Sequence, residues 1–208
     1  YTEGYTSYPR TSSQKLPKEI GYSKIIGLLQ KQKDYTKEAA FLLKKKSLSP
    51  NNGKKTDPAH PAIYPTGQVP KFGDERKKKL YDLIVRRFLS TFGDPATRQT
   101  MTVRLDCNTE IFVTKGTTTI EKGWFELYGR FVMLKEEELP KINEGDICNI
   151  DKLEKLDKET TPPKRYTESS IIKALEKENL GTKATRASII ETLFDRGFID
   201  GKQIEATE

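Results

Sequence analysis

The apolar residues of this chain change their spacing at Thr97, and that change limits what it can fold into. Upstream, Ile20, Ile25, Ile26, Leu28 and Leu29 recur at helical spacing up to a break near Asp34. Ala39, Ala40, Leu42 and Leu43 predict a second helix capped by Thr36. Residues 48–73 read as one long loop rich in Pro, Gly, Asn and Lys. Asp74 is then placed to cap a third helix, with Leu80, Leu83, Ile84 and Phe88 on one face and Gly93-Asp94-Pro95 to stop it. From Thr97 the period becomes two. Met101, Val103, Leu105 and Cys107 alternate with Thr102, Arg104 and Asp106. Ile111 and Val113, then Thr117 to Ile120, then Trp124 to Tyr128 predict further antiparallel strands, with turns at Asn108 and Lys115-Gly116. Asp146 to Leu156 predicts one more strand, and residues 157–165 a linker. Helical spacing returns after Thr167, which should cap one helix ended by Gly181; Thr185 should cap another closed by Gly197. The fold class is therefore α+β and multidomain: a mostly helical part over 1–97, a β-rich part over 98–160 and a helical part over 161–208.

Charge divides the same way. The net charge is +7, but residues 1–90 hold 19 Lys and Arg against 8 Asp and Glu, and the remainder holds 18 against 22. The first part is the expected polyanion-binding face, although runs such as Arg76-Lys77-Lys78-Lys79 also suit a plain solvated surface. Two cysteines, Cys107 and Cys148, make neither a disulfide framework nor a zinc site; both read as small core residues, which fits a reducing, cytoplasmic setting. No apolar run reaches the length of a membrane-spanning helix. The chain opens at Tyr1 inside what reads as a motif, so it is expected to be a piece of a longer protein.

Three segments carry chemistry. In Gly4-Tyr5-Thr6-Ser7-Tyr8-Pro9-Arg10-Thr11-Ser12 a phenol stands two residues before a guanidinium, with a proline fixing the backbone between them. A phenol is a poor nucleophile near neutrality because its pKa is about 10, and a neighbouring arginine favours its oxyanion and can hold a phosphate bidentately. Such a pair suits attack on a phosphodiester through a phosphotyrosine. The plain alternative is an ordinary Tyr-Pro-Arg loop. The second segment, Asp57-Pro58-Ala59-His60-Pro61-Ala62-Ile63-Tyr64-Pro65-Thr66-Gly67, contains the single histidine, which can bind phosphate, relay a proton or simply lie on a surface loop. The third joins Pro162-Pro163-Lys164-Arg165-Tyr166-Thr167-Glu168 to Leu180-Gly181-Thr182-Lys183-Ala184-Thr185-Arg186 and Asp195-Arg196-Gly197. A glycine turn entering a helix N-terminus can take a phosphate, and it can equally belong to a helix-turn-helix unit with ordinary caps.

Together these segments resemble the type IA DNA topoisomerases. The first is similar to that family's Gly-x-x-(Ser or Thr)-Tyr-x-Arg-Thr motif, and the second to its His-x-Ala-Ile-x-Pro-Thr motif. The third is similar to its Pro-Pro-x-Arg-(Tyr or Phe)-Thr-Glu and Gly-x-x-x-Thr-x-Ala-Ser-Ile-Ile motifs. The wording around Pro9 and His60 looks most like the archaeal branch, and reverse gyrase shares similar motifs. Three positions depart from the family: Pro61 and Tyr64 stand where it often has glutamate and arginine, and Lys183 stands in the stretch where it carries an arginine.

The resemblance implies that Tyr8 is the nucleophile, forming a 5′-phosphotyrosine while a 3′-hydroxyl leaves, and that Arg10 holds the scissile phosphate. It implies DNA-phosphate contacts for His60, Thr66, Arg165, Lys183 and Thr185. It also implies single-stranded and negatively supercoiled DNA as partners, relaxation as the activity and no membrane. The 1–97 part would be the tyrosine domain, 98–160 an arch and 161–208 a DNA-contacting segment, with hinges at Thr97–Thr100 and Glu159–Pro163. The family's Mg²⁺ is held by a Toprim domain, which would be the rest of the same polypeptide. No metal site is expected within these residues, and little cleavage from them alone. Two other readings stand beside this one: a non-catalytic helix-turn-helix DNA-binding module, and a tyrosine recombinase, against which a lone histidine argues.

Overall fold

The structure is a computed structural model and describes residues 1–207. The chain divides into two compact units, Tyr1–Asn143 and Glu144–Glu208.

The first unit is built on three helices: α1 (Tyr22–Gln30), α2 (Thr36–Leu43) and α3 (Glu75–Ser90). Their apolar faces meet. Ile26, Leu29, Ala39, Leu42, Val85 and Leu89 are sealed from solvent, and Tyr22, Tyr35, Tyr81, Phe88 and Phe92 surround them. The break expected near Asp34 is a 3-10 turn, Lys33–Tyr35. It puts Tyr35, not Thr36, at the N-cap position of α2, and the Thr36 hydroxyl donates back to the Gln32 carbonyl at 3.1 Å. Asp74 caps α3 as its position predicts, accepting from the Arg76 amide at 2.7 Å. Between α2 and α3 the long loop forms no helix or extended strand.

Past α3, β1 (Thr97–Cys107) and β2 (Glu110–Glu121) form one antiparallel hairpin. Asn108 and Thr109 both take positive φ, 54° and 79°, as a two-residue primed turn requires. The turn expected at Lys115-Gly116 is absent, since Gly116 lies within β2 opposite Met101. Glycine is there for a different reason. A Cβ would meet the Glu137 carbonyl at 2.5 Å, so the residue lets the 137–139 segment approach the strand. The strand expected at Trp124–Tyr128 is instead a short helix, α4. Trp124, Leu127 and Tyr128 are spaced i, i+3, i+4, and Leu127 enters the helical core while Gly93 lies against Trp124.

The second unit holds α5 (Glu168–Lys177), α6 (Arg186–Asp195) and a minimal pair, β3 (Ile199–Asp200) with β4 (Glu205–Ala206). Thr167 caps α5 in a reciprocal box with Ser170. The strand expected over Asp146 to Leu156 is absent: the segment has no regular structure, and Ile147 is 95% exposed. A strand needs a neighbouring strand for its N–H and C=O groups, and each of the two sheets among the described residues holds only its own two strands. Cys148 is likewise exposed and Cys107 half-buried, so neither is the core residue its context predicts. The observed class is α+β: helices with small antiparallel sheets.

Candidate active site

Two loops far apart in sequence run side by side in the first unit. The tyrosine loop and the histidine loop meet in an antiparallel bridge at Thr6 and Pro65. The Ser7 amide donates to the Tyr64 carbonyl at 2.9 Å, and the Thr66 amide to the Tyr5 carbonyl at 3.0 Å. Both bonds flank Pro65, so its missing N–H leaves no acceptor unfilled. Further along, the Gln14 amide donates to Lys55 at 2.9 Å and the Ala62 amide to Lys15 at 2.9 Å.

The core holds this pair of loops from below. Gln32, a buried polar side chain at the end of α1, donates its amide to the Gly67 carbonyl at 3.1 Å. The Tyr81 hydroxyl donates to the Gln68 carbonyl at 3.2 Å. Tyr5 stacks edge-on against Phe72 at 5.1 Å, and Phe72 against Tyr81 at 5.7 Å. Burial raises the Tyr81 phenol above its ordinary range, which keeps it a neutral donor.

This scaffold brings the first two predicted segments together. The Tyr8 ring lies 4.6 Å from the His60 ring, tilted by 47°, and Tyr1 packs edge-on against Tyr8 at 5.1 Å. The Thr11 hydroxyl donates to the His60 carbonyl at 3.0 Å. Arg10 is exposed and, among the described residues, makes no hydrogen bond or ion pair. Thr66 is half-buried and donates its hydroxyl to the Gly4 carbonyl at 2.6 Å.

Arg165, Lys183 and Thr185 belong to the second unit. Arg165 pairs with Glu205 at 3.1 Å. Lys183 is exposed in the loop before α6. Thr185 stands at the N-cap position of α6 but does not cap it; its hydroxyl oxygen accepts the Thr182 amide at 2.8 Å and so closes the preceding loop. Arg186 folds back onto the same loop, donating to the Leu180 carbonyl at 2.9 Å.

Asp57 escaped the sequence reading as a functional residue. Its Oδ1 accepts the Ala59 and His60 amides at 3.0 and 3.2 Å, and its Oδ2 accepts the Ser12 hydroxyl and amide at 3.1 and 3.2 Å. The local half of this pattern was visible as an Asx turn, Asp-Pro-Ala-His; the half that reaches Ser12 was not. Among the described residues no group of three or more His, Cys, Asp or Glu could hold a metal ion.

The family model described as DNA topoisomerase matches residues 1–208. The chain is 46% identical over 205 residues to DNA topoisomerase 1 of Pyrococcus horikoshii, covering 98% of this chain and 30% of that protein. It is 34% identical over 200 residues to human DNA topoisomerase 3-alpha, covering 96% of this chain and 20% of that one. A solved structure of full-length topoisomerase I from Thermotoga maritima superposes with a TM-score of 0.68 at 22% identity, over 98% of this chain and 33% of its own. That likeness establishes the fold. The chain spans 20–30% of the length of these curated relatives.

Proposed function

The chain belongs to the type IA DNA topoisomerase family, and on that premise we propose that it carries the nucleophile of a DNA strand-passage enzyme. The Tyr8 oxygen attacks a phosphorus of single-stranded DNA. The new Oη–P bond forms as the P–O3′ bond breaks, the phenol gives up its proton, and the departing 3′-oxygen takes one up. The product is a 5′-phosphotyrosine that stores the energy of the original ester, so resealing runs the same step backwards without a nucleotide. One observation carries the reading: the phenol and the single imidazole of the chain are held ring to ring, two residues from an exposed guanidinium with no protein partner among the described residues.

Arg10 is assigned to the non-bridging oxygens of the phosphate, where a planar fork binds two at once and stabilises the charge that builds in the transition state. His60 seats the Tyr8 ring and lies beside the phosphate. Thr66 is assigned to holding the loop, because its hydroxyl proton is spent on Gly4. Arg165, Lys183 and Thr185 are assigned to the single strand leading to the break. Mg²⁺ would be held by a Toprim domain elsewhere in a longer polypeptide, in the cytoplasm, with relaxation of negatively supercoiled DNA as the outcome. The three-part division into tyrosine domain, arch and DNA-contacting segment is part of the same proposal.

The test uses a polypeptide of the relatives' length that contains these residues, with Mg²⁺ and 3′-end-labelled single-stranded DNA, quenched in SDS. A covalent adduct that disappears in Tyr8→Phe is expected. A folded wild type that gives none would sink the proposal and leave a DNA-binding module, recognisable by preference for duplex.

A further inference from the structure

Tyr8 and His60 lie between the Thr6–Pro65 bridge and the Gln14–Lys55 hydrogen bond, where the two loops are joined by the Thr11 hydroxyl on the His60 carbonyl at 3.0 Å and by Asp57. The rings stay 4.6 Å apart because the loops that carry them are linked on both sides. Asp57 is the side chain that bonds both the His60 turn and Ser12. Its Oδ1 closes its own turn by accepting the Ala59 and His60 amides, and this fixes the direction in which the His60 backbone leaves. Its Oδ2 takes both donors of Ser12, four residues after Tyr8. An ionised carboxylate has lone pairs for all four bonds, and bonds to a charged acceptor are shorter and stronger than neutral ones. An asparagine could not reproduce the set, because the NH₂ that replaces one oxygen would face two Ser12 donors.

We propose that Asp57 is a positioning residue of the tyrosine site: its carboxylate ties the Ser12 end of the tyrosine loop to the His60 turn, and so seats the imidazole on the Tyr8 ring. It acts through both loops. The consequence for cleavage rests on the proposed role of Tyr8; the seating of the ring does not.

His60 is the single histidine, so its Cε1–H proton gives one isolated NMR resonance in this chain. Tyr8→Ala sets the reference position with the ring contact removed. In Asp57→Ala the resonance should move to that reference while the methyl signals of the core stay dispersed; in Ser12→Ala and Asp57→Asn it should move part of the way. A His60 resonance that stays at its wild-type position in a folded Asp57→Ala overturns the proposal. If Asp57→Ala does not fold, Ser12→Ala and Asp57→Asn decide by the same signal, and no movement in either overturns it. In the full-length cleavage assay Asp57→Asn should lower the rate about tenfold or more, with the DNA concentration for half-maximal rate held within about twofold, as misplacement without lost binding requires. An equal loss in both quantities would count against positioning. Absence of any adduct in the wild type would remove Tyr8 as nucleophile yet leave the NMR result standing, so the two failures are distinguishable.

Discussion

Gly67 shows at the scale of one residue how the site depends on the core. It closes the histidine loop at φ +87°, a left-handed conformation that side chains rarely adopt. A Cβ added there would meet Leu28 Cβ at 2.7 Å and the Ile25 carbonyl at 3.3 Å, both on α1. The same residue gives its carbonyl to buried Gln32. Alanine would thus bear the conformational strain and push the loop off the helix. Gly67→Ala should destabilise the fold by about 1–3 kcal/mol, from the strained backbone and the overlap together. A urea titration followed by far-UV circular dichroism reads this as a lower midpoint; an unchanged midpoint would mean that the loop is not seated on α1 as described. The sequence offers Gly67 only as the end of a motif. The reason for it lies in Leu28 and Ile25, about forty residues upstream, and local pattern does not reach that far.

Among the elements, what was legible is what is decided locally. Asp74 and Thr167 cap their helices because each needs only amides two or three residues away. The Asn108 turn was legible for the same reason. Elements misread from the sequence are those that distant packing decides: α4 forms because Leu127 has a core to enter, and Gly116 stays in strand because the 137–139 segment needs the space. The 146–156 stretch is the reverse case, with strand-like residues and no regular structure. Thr167 offers the cleanest test of a local device. It satisfies the Ser170 amide, and the Ser170 hydroxyl in turn takes the Thr167 amide at 2.8 Å. Thr167→Ala leaves the Ser170 amide to water, while the Ser170 hydroxyl still accepts the amide of residue 167. Its expected cost is about 1 kcal/mol, seen in hydrogen exchange as faster exchange over the first turn of α5 while the α3 amides keep their protection. Equal acceleration in α3 would show that the substitution acts on more than a cap.

Across the whole chain, the candidate site was legible as residue types and not as geometry. Tyr8, Arg10 and His60 could be named, but the Gln32, Tyr81 and Asp57–Ser12 bonds that hold their loops could not, since they join positions 13 to 45 residues apart. The same holds for the network that locks the helices of the first unit. Arg86 on α3 bonds Asp82 at 3.0 Å and Glu38 of α2 at 3.2 Å, and Arg130 reaches Asp82 at 2.6 Å. Tyr35, 4% exposed, packs under Arg86. Burial, then the neighbouring Asp82 carboxylate, raises the Tyr35 phenol above its ordinary range. Burial also raises Tyr81 and, with Glu19, Tyr22. The sign follows directly. A phenol held neutral in the folded state contributes stability that is complete below its unfolded pKa of about 10. Above that pH the unfolded chain releases its proton first, and the contribution drains away until the folded pKa is passed. Each such group steepens the loss by roughly 1.4 kcal/mol per pH unit within that window. Urea midpoints taken from pH 8 to pH 11 should be flat at first and then fall above pH 10. Tyr35→Phe cannot titrate, so its decline should be shallower than that of the wild type even if its midpoint at pH 8 is lower. Lysines deprotonate in the same range in both proteins and cancel in the comparison. Parallel declines would show that Tyr35 ionises as readily in the fold as outside it, and that the Asp82 side of the core is open to water.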